Sequence, residues 1–294
     1  MNKIPVFLHI PKNAGTYVLS VITSIFRFYL RDKSPINKPV QNLDLRKFHI
    51  LDSNNKQCMK LIVWDFNNLR KSLNEISPDL KHNFVDNINI TDLDPVLNEI
   101  KNGNLFLFSV FIEPRGVKLI KQGVFENIFD KINKIPIYFT IFRHPYDRVL
   151  SLYNYIKSGA SKHEATHQSI RFETFEEYIS SNEIEESWLI RNLCDLPPFR
   201  PIIENDFEVA CSILKKFQIE NISNTDKIID SVFTECYDCT RSIIKEGTVL
   251  DKNATVYSEN LKLELSSLSK EAMDKFLERI MFDRRLYRLF TLKN

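Results

Sequence analysis

Glycine is scarce, six residues in 294, which excludes architectures built on closely recurring glycines. Charge of one sign is not in excess either. Forty Lys and Arg stand against 38 Asp and Glu, a formal +2, whereas a dedicated nucleic-acid binder carries a strong basic surplus. No run reaches the ~18–20 apolar residues of a membrane span. The longest candidates, Leu105–Ile112 and Ile135–Phe142, have the length of buried strands. Cysteines number five (Cys58, Cys194, Cys211, Cys236, Cys239), and an odd count in a large chain fits a reducing cytoplasm better than a disulfide framework. The first apolar stretch, Ile4–Ile10, has no small-residue cleavage site and runs into Pro11-Lys12-Asn13, so it reads as a strand and not as a signal peptide. The expectation is a cytoplasmic protein with no nucleic-acid partner and no membrane contact, whose sequons at Asn89, Asn221 and Asn253 stay unmodified; its oligomeric state is not legible.

What is present is ordinary globular material, 43% hydrophobic and 27% charged. After the run 4–10, Val18, Val21, Ile22, Ile25, Phe28 and Tyr29 recur at helical spacing. The segment of roughly 31–58 is rich in Asn, Lys and Pro and reads as loop or short irregular helices. Lys60–Trp64, Leu105–Ile112 and Ile135–Phe142 read as further strands, and Val149, Leu152, Tyr153 and Ile156 mark an amphipathic helix. The second half is mostly helical: Ala210, Ile213, Leu214 and Phe217 share one face, as do Met273, Phe276, Leu277, Ile280 and Met281. Short apolar strands separated by helices predict an α/β fold, a P-loop-like parallel sheet flanked by helices with a helix-rich C-terminal half. With no repeat and no clear linker, 1–294 reads as a single domain.

Two strand-to-helix turns carry chemistry. The first is Leu8-His9-Ile10-Pro11-Lys12-Asn13-Ala14-Gly15-Thr16-Tyr17. A helix start leaves backbone N–H groups unpaired with a partial positive charge, a ready anion site. Gly15 admits close backbone approach, Lys12 adds a formal charge and Thr16 a hydroxyl. The lysine precedes the glycine, so this is not the Gly-x-x-x-x-Gly-Lys-Ser/Thr loop of nucleotide triphosphatases. The second turn is Phe142-Arg143-His144-Pro145-Tyr146-Asp147-Arg148, with Ser151 two turns along the following helix. An arginine fork and a serine hydroxyl together suit one phosphate. The plain alternatives are a capping turn with a solvated lysine, and Arg143 or Arg148 paired with Asp147 or another carboxylate.

As a pair, these motifs resemble those of sulfotransferases of the carbohydrate (family 2) branch. Pro11-Lys12-Asn13-Ala14-Gly15-Thr16 is similar to that family's 5′-phosphosulfate loop, commonly Pro-Lys-Thr-Ala-Gly-Thr-Ser. Arg143-x-Pro-x-x-Arg148-x-x-Ser151-x-Tyr153 is similar to its 3′-phosphate motif. Weaker echoes are Trp188–Cys194, Lys252–Thr255 and Asp283–Tyr287. The resemblance implies the co-substrate 3′-phosphoadenosine 5′-phosphosulfate, no metal, and a carbohydrate or small-molecule acceptor. It places Lys12, Asn13, Ala14, Gly15, Thr16 and Tyr17 at the 5′ end, with Arg143 and Ser151 at the 3′-phosphate. Lys12 would also serve catalysis at the leaving phosphate. Asn13 and Tyr17 depart from the family's threonine and serine.

The family's Gly-His pair is missing from the strand 105–112. Glu113 is the nearest replacement as general base, with His49 next, on the expectation that the early loop lines the acceptor side. His9, inside the first strand, reads as structural. Cys236 and Cys239 have metal spacing but no second ligand pair. Glu173, Glu176, Glu177, Glu183, Glu185 and Glu186 read as a solvated helix face. Arg284, Arg285 and Arg288 read as a helix C-terminus favoured by the dipole. Two other functions compete: a nucleotide-dependent kinase on the same fold class, which the missing Gly-Lys-Ser/Thr disfavours, and a non-catalytic nucleotide-binding module.

Overall fold

In a computed structural model the described residues are 2–15, 17, 18, 21, 22, 25, the backbone of 46–51 and 57–63, 97, 100, 106–112, 114–157, 172–181, 184, 186–198, 200–237 and 268–292. Six strands form one sheet: β1 (Lys3–His9), β2 (Arg46–Leu51), β3 (Gln57–Val63), β4 (Phe106–Phe111), β5 (Ile135–Phe142) and β6 (Phe217–Asn221), in the order β2-β3-β4-β1-β5-β6. The four strands β4, β1, β5 and β6 are mutually parallel.

The parallel set follows from its composition. Strands buried on both faces must be apolar throughout, and β4 (Phe-Leu-Phe-Ser-Val-Phe) and β5 (Ile-Pro-Ile-Tyr-Phe-Thr-Ile-Phe) nearly are. The one hydroxyl deep in β5, on Thr140, donates to the Leu8 carbonyl oxygen at 2.8 Å, so burial costs it no hydrogen bond. Alternate residues serve opposite faces. Ile4, Val6, Leu8, Phe106, Phe108 and Val110 face the helices Pro114–Lys121, Val124–Asp130, Trp188–Cys194, Glu204–Leu214 and Met281–Thr291. Phe7, Leu107, Ile137, Phe139 and Ile141 face Val18, Val21, Ile22 and Ile25 of the first helix and the helix Thr225–Tyr237. A third apolar cluster joins the helices Pro145–Lys157, Phe175–Ser180 and Lys270–Arg279.

Four expectations are corrected. The sheet is not parallel throughout: β3 runs antiparallel to β4 and to β2. The segment 31–58 contains strand β2 and the start of β3, where loop or short irregular helices are expected. Phe217 does not extend the preceding helix face; that helix ends at Leu214, and Phe217 opens β6 against Tyr138. Phe28 and Tyr29 lie outside the described residues. The helix expected through Met281 breaks at Ile280, and Met281, 45% exposed, opens a new helix.

This topology positions a site. β1 is flanked by β4 on one side and β5 on the other. The first helix packs on one face of the sheet, and the helices that follow β4 on the other. The loops leaving β1 and β5 therefore border a crevice at the carboxyl ends of the strands, the place where open α/β sheets take ligands.

Candidate functional site

The loop after β1 is a tight turn of unusual handedness. The Asn13 N–H donates to the Ile10 carbonyl at 3.1 Å, and the Val18 N–H to the Ala14 carbonyl at 3.0 Å, which starts the helix. Lys12 (φ 66°) and Ala14 (φ 59°) both take left-handed backbone, and Asn13 between them does not. A non-glycine residue there costs on the order of 1–3 kcal/mol. Alternation of hand across consecutive residues turns their N–H groups to one side, the geometry of anion-binding nests.

Asn13 fixes this turn to the neighbouring strand. It is 3% exposed, and its Nδ2 donates to the Ile141 carbonyl at 3.0 Å. Its Oδ1 is buried and, among the described residues, accepts nothing. Gly15 has a packing reason that the sequence does not show: any Cβ would collide with the His9 imidazole. That imidazole lies between Phe7 (5.8 Å) and Phe111 (4.8 Å), in keeping with a structural His9.

Lys12 and Arg143 come together. An Arg143 Nη1 donates to the Lys12 carbonyl at 3.4 Å, and the Lys12 ammonium lies 3.6 Å above the Tyr155 ring. Burial first, and the Arg143 charge second, push the Lys12 ammonium down to about 8 from its ordinary 10.5. Burial likewise works against the charge of Arg143, with Asp147 offsetting part of the cost. Ser151 is half-buried one turn before Tyr155 on the helix Pro145–Lys157, so the two share a face. Tyr155 is absent from the sequence-derived site. Its only sequence signal is that four-residue spacing, which gains meaning once Lys12 arrives from the other strand.

Tyr17 is committed elsewhere: its hydroxyl donates to Asp226 at 2.8 Å. Thr16 and Glu113 lie outside the described residues. His49 sits in β2, not in a loop; three strand spacings separate it from β1, about 14 Å.

Arg148 faces the opposite way. Its guanidinium stacks over the Trp188 ring at 4.3 Å, beside the fully buried Asp283. Asp283 accepts from the Leu189 and Ile190 N–H groups at 2.9 and 3.2 Å, capping the helix Trp188–Cys194 from another element. Burial raises its carboxyl to about 6; the Leu189 N–H, Arg148, the Ile190 N–H and Arg191 pull the other way. A cavity of about 10 Å³ joins these groups to the site, lined by Asn13, Arg143, Arg148, Asp283 and Tyr287 among others. A hollow of about 510 Å³ lies at the opposite end of β5, between Glu126, Lys134, Tyr138 and Lys216, away from both loops.

Other expectations resolve locally. Glu173 and Glu177 are exposed, as a solvated face requires, and the face has a further use: Glu177 forms a capping box with Thr174, and Glu176 accepts from Ser269. Glu186 pairs with Arg191 at 3.3 Å, whereas Glu183 and Glu185 lie outside the described residues. Arg284 and Arg285 stand in the first turns of the helix Met281–Thr291, and only Arg288 is in its last. Cys236 is buried in its helix, and Cys239 and the Lys252–Thr255 segment lie outside the described residues. No helix among the described residues is long and apolar enough to cross a membrane. No protein family, curated protein or solved structure matches this chain.

Proposed function

We propose that the crevice at the ends of β1 and β5 binds adenosine 3′-phosphate 5′-phosphosulfate and transfers its sulfuryl group to a hydroxyl of a carbohydrate or small metabolite. The observation that carries this reading is the crowding of Lys12 against Arg143. At a left-handed turn, burial and the Arg143 charge depress Lys12, burial works against the charge of Arg143 as well, and a bound dianion offsets both costs. The two motifs and their order along the chain supply the identity of that anion, through their resemblance to the carbohydrate sulfotransferases.

In this reading the 5′-phosphosulfate lies over the turn 11–15 and the helix start. Arg143 and Ser151 take the 3′-phosphate. An acceptor hydroxyl attacks sulfur in line; its oxygen–sulfur bond forms as the bridging oxygen–sulfur bond breaks, and the electron pair departs on the 5′-phosphate. Lys12 and the backbone N–H groups hold the charge growing there, an interaction stronger in the transition state than before it. The acceptor's proton goes to a base, for which Glu113 is the candidate.

The test is incubation with isotopically labelled phosphosulfate donor and a panel of hydroxyl acceptors, read by mass spectrometry. Label on an acceptor, with stoichiometric release of adenosine 3′,5′-bisphosphate, is expected. Transfer of phosphate from ATP in its place would overturn the reading in favour of a kinase.

A further inference from the structure

The helix Met281–Thr291 uses its arginines in two different ways. Arg285 meets Glu204 through both terminal nitrogens, at 2.7 and 2.5 Å, and lies over the Phe207 ring at 4.1 Å. Arg284 and Arg288 are four residues apart and share the other flank. Among the described residues neither forms an ion pair with a carboxylate. The Arg284 Nε is wholly buried and, among the described residues, has no acceptor. A buried donor without a partner is costly, and the helix retains one next to Asp283, which lines the small cavity at the site.

The register of this helix is set from its inner side. Asp283 is anchored on the helix Trp188–Cys194, and the Tyr287 ring stands edge-on to the His144 imidazole, centroids 5.1 Å apart at 82°. The flank carrying Arg284 and Arg288 thus meets His144 and the start of the helix Pro145–Lys157. Both arginines act on His144, and Asp147 is the carboxylate that faces it. Asp147 is the larger single influence, and the two guanidinium groups and a helix start stand against it. Arg143, one residue before, turns to the Lys12 carbonyl instead, so the two basic groups are distinct.

We propose that His144, Arg284 and Arg288 form a second oxyanion subsite, beside the Lys12–Arg143 pair, which takes an acidic group carried by the acceptor. The word acceptor rests on the sulfuryl-transfer reading; the anion site itself does not. The acceptors of this chain are then acidic sugars or other carboxylated, phosphorylated or sulfated hydroxyl compounds, and neutral analogues are poor substrates.

The test follows the His144 imidazole by NMR in the full chain, assigned with His144→Gln. Sodium sulfate is titrated against chloride at constant ionic strength, with and without saturating adenosine 3′,5′-bisphosphate. Burial holds His144 below its ordinary 6.5, Asp147 offsets part of this, and the two arginines add to the lowering. An anion among these groups raises it. The expected result is a saturable rise with sulfate that persists when the bisphosphate is bound, and that disappears in the Arg284→Gln/Arg288→Gln double variant. Glucuronate reproduces the rise and glucose does not. Arg288 is exposed, so Arg288→Gln alone leaves the fold intact and weakens the sulfate response several-fold even if the double variant does not fold. A rise unchanged by Arg288→Gln overturns the subsite, as does one abolished by the bisphosphate, which would make the two anion sites one. A response to sulfate without one to glucuronate overturns the acceptor assignment. Failure of the bisphosphate to bind at all, with the sulfate response intact, would instead remove the donor reading and leave the subsite standing.

Discussion

Two charged regions meet at a small cavity near the carboxyl ends of β1 and β5, and they are built on opposite rules. In the region of residues 186–206 and 283, buried charge is matched. Arg191 donates to the carbonyls of Glu186, Pro197 and Arg200 at 2.8–2.9 Å, Arg200 grips Asp206 with two nitrogens, and Asp283 collects two N–H groups beside Arg148. At the turn 11–15, cation is set against cation, on a left-handed backbone, next to an amide oxygen without a donor. The first arrangement closes on itself and serves the fold. The second leaves cation against cation, and the proposed function rests on that difference.

The largest effect expected comes from breaking the matched region. Asp283→Ala strips the caps from Leu189 and Ile190 and leaves Arg148 buried without its carboxylate, a loss of about 3–5 kcal/mol. Urea denaturation is expected to show a midpoint lowered accordingly. A loss under about 1 kcal/mol would mean that this region is not the closed structural unit described.

Breaking the crowded region should have the opposite signature. Lys12→Met removes one of two repelling cations, so stability stays within about 0.5 kcal/mol of the parent or rises. Affinity for adenosine 3′,5′-bisphosphate is expected to fall by about 2 kcal/mol or more, measured by calorimetry on the same samples. Stability lost together with affinity would place Lys12 among the structural charges.

Asn13 lies between the two rules. Asn13→Ala leaves the buried Ile141 carbonyl without its donor and should cost about 1–3 kcal/mol in thermal or urea unfolding. The turn that sets Lys12 against Arg143 loosens with it, so bisphosphate affinity falls as well.

The smallest effect is in pH dependence. Lys12 holds its proton to about 8 in the folded chain and to about 10.5 unfolded. Between those values the unfolded chain binds more protons, so this residue makes stability rise with pH across that window. The difference between parent and Lys12→Met unfolding curves isolates the contribution: the parent should gain on the variant from pH 8 upward. A flat difference would mean that the ammonium is not crowded.

Much of this arrangement was legible in the chain. Both turns are bounded by apolar runs with Pro11 and Pro145 beside them, so their strand-to-helix character shows in local pattern. The missed pieces depend on partners distant in sequence. β2 is an alternating strand, Arg-Lys-Phe-His-Ile-Leu, set within a polar segment, and it becomes a strand by pairing with β3. β6 follows its helix after two lysines, with no Gly or Pro to mark the turn, so Phe217 continues the helical spacing by coincidence. Asp283 looks like a surface acid among arginines until the helix start at Trp188 is brought to it. The role of Gly15 against His9 likewise needs the packed turn, since both residues also fit an anion loop that has no such contact.

The central claim is tested most directly by titrating the full chain calorimetrically with adenosine 3′,5′-bisphosphate, AMP and ATP at pH 8.5, in two buffers of different ionisation enthalpy. The account predicts that the bisphosphate binds at least about tenfold tighter than either, because two anion sites are engaged, and that binding takes up protons as Lys12 regains its ordinary basicity. Equal affinity for AMP and the bisphosphate, or binding with no proton uptake, would contradict it.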